Sequence, residues 1–259
     1  QTVVLEDYLE VKPENRHRLE KLVRESRIHI GPWYVLPDEF LVSGEALIRN
    51  LLIGRGIAEQ FGECMDVGYI PDPFGHVSQI PQILYQFNYD SVIFARGMGE
   101  EAEDLGSEFI WKASDGSSIF AHWLPQSYGN IASLPEDVDD AVSVIEEMIE
   151  KLEPWSKTGV LLLMNGSDHL EPQRHLPKVV ETYNQQHDSE IKISTLQEFI
   201  TYFRAVKGEL KEYTGEFREP RFENLLSGVY SARIYLKQAN EYSQRYLERI
   251  VEPWCSASL

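Results

Sequence analysis

Only two cysteines occur in 259 residues, Cys64 and Cys255, so no disulfide framework can staple this chain. A reducing compartment, the cytoplasm, is the expected home. No apolar run approaches the roughly 20 residues that span a bilayer, and the N-terminus lacks the basic-then-apolar pattern of a secretion signal. Basic side chains are scarce: 24 Lys and Arg stand against 42 Asp and Glu, a formal charge of −18. Nucleic acid and anionic membranes both need a basic footprint, so neither is an expected partner. There is no Gly-rich nucleotide loop, no Gly-x-Ser-x-Gly elbow, no His-Glu-x-x-His pair and no Cys pair. Internal repeats and low-complexity segments are missing too. What remains is one large globular domain, or one domain with an appendage.

The stretch that stands out is Gly68-Tyr69-Ile70-Pro71-Asp72-Pro73-Phe74-Gly75-His76, after an apolar run from Met65 that reads as a buried strand. Pro71 and Pro73 fix their own φ, and Pro73 pushes Asp72 out of the α region, so the carboxylate is held stiffly. An α/β enzyme places its chemistry at such carboxyl ends of strands.

Elsewhere the pattern alternates. Gln1 to Leu5 and Arg27 to Val35 read as strands, with a helix over Pro13 to Ser26 between them. Ser43 caps a predicted helix through Phe61, and Gln79 to Phe87 reads as a short helix. Ser91 to Ala95 is a compact strand that delivers Arg96. Phe109-Ile110-Trp111 and Ile119 to Trp123 flank Asp115-Gly116, a hairpin signal. Val138 to Leu152 is amphipathic. Val160 to Met164, the most apolar run, reads as a strand ending in Asn165-Gly166-Ser167-Asp168-His169. A helix over Pro177 to Gln185, a strand at Ile191 to Ser194 and a helix over Thr195 to Val206 follow. Glu212 to Arg218 reads as an extended linker and Ser231 to Val251 as a long helix. Strands alternating with helices predict an α/β domain with a mainly parallel sheet.

Four predicted strand ends carry Trp33, Asp72 with Phe74, Arg96, and Asp168 with His169, while Tyr128 follows the hairpin. Two aspartates at one sheet edge suggest glycosidic or hydrolytic chemistry. Trp33, Phe74 and Tyr128 suit the apolar faces of a sugar. Asp72 and His76 are also metal-ligand types, although their spacing defines no zinc motif.

Three blocks carry a resemblance: Gly31-Pro32-Trp33-Tyr34-Val35-Leu36-Pro37-Asp38-Glu39, the Asp-Pro-Phe-Gly-His block, and Asn165-Gly166-Ser167-Asp168-His169. They resemble the α-mannosidases of glycoside hydrolase family 38. The segment Ser231-Ala232-Arg233-Ile234-Tyr235-Leu236-Lys237-Gln238-Ala239-Asn240 is similar to the bacterial branch. The resemblance implies a seven-stranded β/α barrel-like catalytic domain over residues 1–209, with its first strand missing. Residues 210–259 would then be a linker and the first helix of a helical bundle. It also implies a retaining exo-acting α-mannosidase with one zinc ion, acting on α-mannosides or mannose-containing oligosaccharides.

On that resemblance Asp72 is both nucleophile and zinc ligand, and Asp168 the general acid/base. Phe74, Arg96, Tyr128, His169 and Trp33 line the sugar pocket. The family's His-x-Asp pair and its later His-Asp histidine do not occur here, so the remaining zinc ligands would lie outside this chain. The chain is accordingly expected to be an internal piece of a longer bacterial, cytoplasmic enzyme, inactive by itself. An open sheet edge left by a missing strand favours a homo-oligomer. The alternatives are hydrolysis of mannosylglycerate or its phosphorylated form, a catalytically dead carbohydrate-binding relative, and a metal-dependent deacetylase-like barrel.

Overall fold

The computed structural model describes residues 1–205 and 210–259. In chain order the elements are α1 (Val3–Val11), α2 (Arg16–Arg24), α3 (Gly44–Glu59), β1 (Gly68–Ile70), α4 (Ile80–Gln86), β2 (Ser91–Phe94) and α5 (Ala102–Leu105). They continue with β3 (Glu108–Lys112), β4 (Ser118–Trp123), α6 (Val138–Leu152), α7 (Leu176–Gln186), α8 (Leu196–Ala205), β5 (Glu212–Thr214), α9 (Ile234–Tyr246) and α10 (Glu252–Ser258). No helix among the described residues is long and apolar enough to cross a membrane. The chain forms two compact units. One comprises Gln1–Cys64, Pro73–Val77 and Leu225–Leu259, the other Met65–Asp72 and Ser78–Asn224.

In the first unit the chain opens as a helix, not the expected strand. Leu5 and Leu9, one turn apart, pack on a cluster of Val23, Ile30, Ile57, Ala58 and Phe61. The amides of Thr2 and Val3, which a helix start leaves unpaired, donate to the carbonyls of Trp33 and Tyr34. Arg27 to Val35 is an irregular, bent segment with Gly31 at φ +91°, and among the described residues it makes one bridge, Ile30 to Cys64. Its end is satisfied by a side chain instead: Asn50 accepts from Tyr34 N at 2.8 Å and donates to Val35 O at 2.8 Å. Gly54 makes that approach of α3 possible, since a Cβ there would lie 2.2 Å from the Pro32 carbonyl oxygen. Ser43 caps α3 as predicted, accepting from Ala46 N at 3.0 Å.

The second unit is built on a five-stranded sheet in the order β1-β2-β4-β3-β5. Strands β1, β2 and β4 are parallel, β3 runs antiparallel to β4, and β5 is parallel to β3. The sheet is therefore mixed, with a predicted hairpin inside it. Strand β5 falls in the stretch expected to be a linker. It is short and polar, but its backbone pairs with Ile110 to Lys112, and Tyr213 stacks on Phe217 against Phe109.

Val160 to Met164 carries no strand. It is extended beside Asn130, whose side-chain amide donates to Leu162 O and whose carbonyl accepts from Met164 N. Ile191 to Ser194 also lacks strand pairing. Val206, the expected end of α8, and residue 209, the expected domain boundary, lie outside the described residues.

One buried ionisable pair ties β3 to β4. Glu108 and His122 face each other in register, with side chains 0% and 4% exposed. Burial alone would push the Glu108 carboxyl up. The His122 ring, the Lys157 amide at 2.6 Å and the Ser107 hydroxyl at 3.0 Å outweigh burial and hold it below the usual carboxylate range. Its folded pKa being below the unfolded one, its stabilisation is complete above the ordinary carboxylate range and fades as pH falls through the folded value. Glu108→Gln is expected to cost about 1–3 kcal/mol at neutral pH and to flatten the acid limb of stability. Urea titrations from pH 7 to pH 3 check this; an unchanged acid limb would show that Glu108 does not set it.

Candidate active site

Strand register brings the first two site residues together. Ile70 pairs with Phe94 across β1 and β2. Asp72 and Arg96 each lie two residues further on, so a parallel pair delivers a carboxylate and a guanidinium to the same edge. Arg96 Nε and Nη2 donate to Asp72 Oδ1 at 2.9 and 2.8 Å. These are charge-assisted bonds, and Asp72 keeps 42% of its side chain exposed beside them.

The third strand, β4, pairs Trp123 with Phe94 and therefore ends at the same edge. The chain then turns through Ser127 at φ +66°, a left-handed conformation uncommon outside glycine. That turn presents Tyr128. Its hydroxyl lies 3.2 Å from Asp72 Oδ1 and 3.4 Å from Asp168 Oδ2. The two carboxylate oxygens can thus be no more than about 6.6 Å apart. Burial raises the Tyr128 phenol, and the charges of Asp72 and Asp168 raise it further, so it keeps its proton and stays a donor.

Asp168 is exposed and sits in a turn with His169, which is also exposed and left-handed at φ +59°. The segment before it is pinned by Asn165, whose amide donates to Ile131 O at 2.8 Å and to Gln173 at 3.0 Å. Close packing of Gly129 on Gly166, where a Cβ would come within 3.0 Å of the carbonyl oxygen, holds the Tyr128 and Asp168 loops together.

Of the residues expected at the site, Asp72, Arg96, Tyr128 and Asp168 form this one network. Trp33 and Phe74 belong to the other unit. Trp33 is 1% exposed, so its ring is core and presents no open face; Phe74 is half-buried. His76, considered as a metal-ligand type, is fully buried with Nδ1 2.8 Å from Glu39 Oε1, while Glu39 Oε2 accepts from Val77 N at 2.8 Å. Glu39, expected in a polar turn, is a buried brace for the chain that follows Gly75.

Glu223 was missed altogether. It lies 3.6 Å from Arg96 Nη1, beside Asn224, whose carbonyl accepts from the same nitrogen at 2.6 Å. The only signal was an acidic residue between an aromatic and an amide, just past a presumed linker.

Among the described residues, no three His, Cys, Asp or Glu side chains stand together to hold a metal ion. Asp72 and Asp168 fall short of that number, and Asp72 Oδ1 is already taken by a guanidinium and a phenol. This donor set does not fit a zinc ion.

Two carboxylates, Asp72 and Asp168, thus share one phenol near the edge where β1, β2 and β4 end. The comparisons give the family. The Glycosyl hydrolases family 38 N-terminal domain model matches residues 1–216, and the chain belongs to that family. It is 37% identical to a Halalkalibacterium halodurans protein provisionally named as a mannosylglycerate hydrolase, over 98% of this chain and 30% of that protein. It is 27% identical to alpha-mannosidase G of Dictyostelium discoideum, over 95% of this chain and 23% of the relative. An alpha-mannosidase structure from Enterococcus faecalis V583 superposes with a TM-score of 0.87 at 32% identity, covering 95% of this chain and 29% of the other. The chain thus spans less than a third of the length of these relatives.

Because no group of three such donors stands together among the described residues, the chain by itself is expected to take up no zinc tightly. A zincon competition titration checks this. Tight one-to-one uptake would overturn it.

Proposed function

We propose that this chain carries the catalytic carboxylates of a retaining, exo-acting α-mannosidase, residues 1–209 forming its catalytic part and 210–259 leading into a helical bundle. The observation that carries the reading is the phenol shared by Asp72 and Asp168. Retaining glycosidases hold their carboxyl groups about 5–5.5 Å apart and inverting ones about 6.5–9.5 Å. The bound of about 6.6 Å between Asp72 Oδ1 and Asp168 Oδ2 admits the retaining spacing, and the anomer released first decides between it and the inverting one.

In this mechanism Asp72 attacks through Oδ2, since Oδ1 is held by Arg96 and Tyr128. A bond forms from Oδ2 to the anomeric carbon while the bond to the leaving oxygen breaks. Asp168, carrying a proton, gives it to that oxygen. Water then attacks the anomeric carbon, loses a proton to Asp168 and frees Asp72. Exposure of Asp168 suits this second step, because water must reach it. Tyr128 gives its single proton to one carboxylate at a time, and its oxygen accepts from Asp168 when that group is protonated, which keeps the pair in register.

Hydrolysis of mannosylglycerate, phosphorylated or not, is the second reading, favoured by the name of the Halalkalibacterium halodurans relative. The compartment we assign is the bacterial cytoplasm, supported by a chain whose two cysteines, Cys64 and Cys255, form no disulfide.

The purified natural protein tests the mechanism on an aryl α-mannoside. Asp72→Asn is expected to lower kcat by about 10⁴-fold or more. Asp168→Asn is expected to lower it by about 10²–10⁴-fold. Proton NMR during early turnover should show α-mannose forming first. First-formed β-mannose would overturn retention, and binding without turnover would leave a carbohydrate-binding protein.

A further inference from the structure

Asp168 is carried by a loop, residues 166–172, that is exposed along its whole length. A segment with so little burial is not held in place by apolar packing. Its neck is different: Asn165 and Gln173, the residues on either side, are half-buried.

Two side-chain amides close that neck. Both hydrogens of Asn165 Nδ2 are engaged, one by Ile131 O at 2.8 Å and one by Gln173 Oε1 at 3.0 Å. Gln173 Oε1 accepts a second bond from Leu134 N at 3.0 Å, while Nε2 donates to Leu134 O at 2.8 Å. Gln173 thus meets both backbone groups of Leu134, as a residue of a neighbouring antiparallel strand would. The floor beneath is firm, because Ile131 and Leu134 are buried against Ala141, Val142, Ile145 and Val179.

Ile131 and Leu134 also follow closely on Tyr128 in the chain. The amide pair therefore ties the neck of the Asp168 loop to the segment that presents the phenol. A backbone bond from Ile131 N to Met164 O at 3.1 Å continues the seam.

We propose that Asn165 and Gln173 are positioning residues for Asp168, their paired amides holding its carboxyl at the Tyr128 hydroxyl, where it can serve the leaving oxygen. The inference rests on the glycosidase reading, in which Asp168 moves the proton. Catalysis is sensitive to placement, and an error of about 1 Å can cost about 10²-fold. A leaving group of low basicity departs without that proton, and a basic one does not. Loss of the amide pair should separate the two.

Steady-state kinetics on the purified natural protein tests this, with 2,4-dinitrophenyl and phenyl α-mannoside as substrates. Gln173→Met keeps the length of the side chain and removes its three bonds. On the phenyl substrate its kcat/KM is expected to fall about tenfold or more, and on the dinitrophenyl substrate to stay within about threefold of wild type. Asn165→Ala, which leaves both bonds from Gln173 to Leu134, should show the same split and decides the matter if Gln173→Met does not fold. Added to Asp168→Asn, either change should lower the phenyl rate by less than about twofold more, since no acid is left to position. Equal losses on both substrates, an unchanged phenyl rate, or a full further loss in the double variant overturns the proposal. If wild type turns over neither substrate, the hydrolase reading fails by itself, and crystal structures of wild type and variant decide the positioning. Asp168 Oδ2 withdrawn from the Tyr128 hydroxyl in the variant upholds it; Oδ2 kept within hydrogen-bond reach overturns it.

Discussion

The bond from Arg96 to Asp72 is the interaction on which the site depends. Two donors of one guanidinium converge on a single oxygen of Asp72, Oδ1, and leave Oδ2 outside these bonds. The third nitrogen of the same group holds the Asn224 carbonyl and faces Glu223. A planar fork with fixed donor directions can do this, and a lysine ammonium cannot. Since Asp72 is partly exposed, the pair contributes little to stability through Coulomb attraction alone. Its consequence is geometric: it fixes which oxygen of Asp72 is engaged and where the Glu223 loop lies. The pairing follows from sheet register, because equal offsets beyond Ile70 and Phe94 place the two residues side by side.

Elements with a strong internal period were legible. The β2 run, the Asp115-Gly116 hairpin, α3 with its Ser43 cap and α6 all form where local pattern puts them. Failures have a common cause. Arg27 to Val35 and Val160 to Met164 look like strands in sequence, yet Asn50 and Asn130 take the place of neighbouring strands by satisfying backbone groups with side-chain amides. No window of sequence reveals that an asparagine elsewhere will do this. The converse error is β5, where three polar residues become a strand because an edge of β3 is open to them. The opening helix escaped for a similar reason, its first amides being satisfied by Trp33 and Tyr34.

The site was legible wherever a strand end carried it. Asp72, Arg96 and Tyr128 all follow strands whose apolar character was plain, and Asp168 follows a run whose apolar character was equally plain. Glu39 and Glu223 lie in irregular segments, and their burial is set by distant residues. Trp33 shows the limit from the other side: an aromatic beside a recognisable block is as easily core as sugar platform, and only its burial decides.

The charge of the site bears on its substrate. Asp72 and Glu223 both face the guanidinium of Arg96, and Asp168 joins Asp72 through the Tyr128 hydroxyl. Glycosyl transfer passes through an oxocarbenium-like transition state, with positive charge growing at the anomeric carbon. Carboxylates already in place stabilise that charge without reorganising, and this differential effect is what lowers a barrier. The same excess of acid opposes a phosphorylated or carboxylated sugar, whose anion would need an unmatched cation to offset its loss of hydration. Arg96 cannot be that cation while it holds Asp72. Lys112 is committed to Glu212 at 3.0 Å and Arg221 to Glu103. On the proposed glycosidase reading, this arrangement of charge suits a neutral sugar, by the same electrostatics that would assist its cleavage.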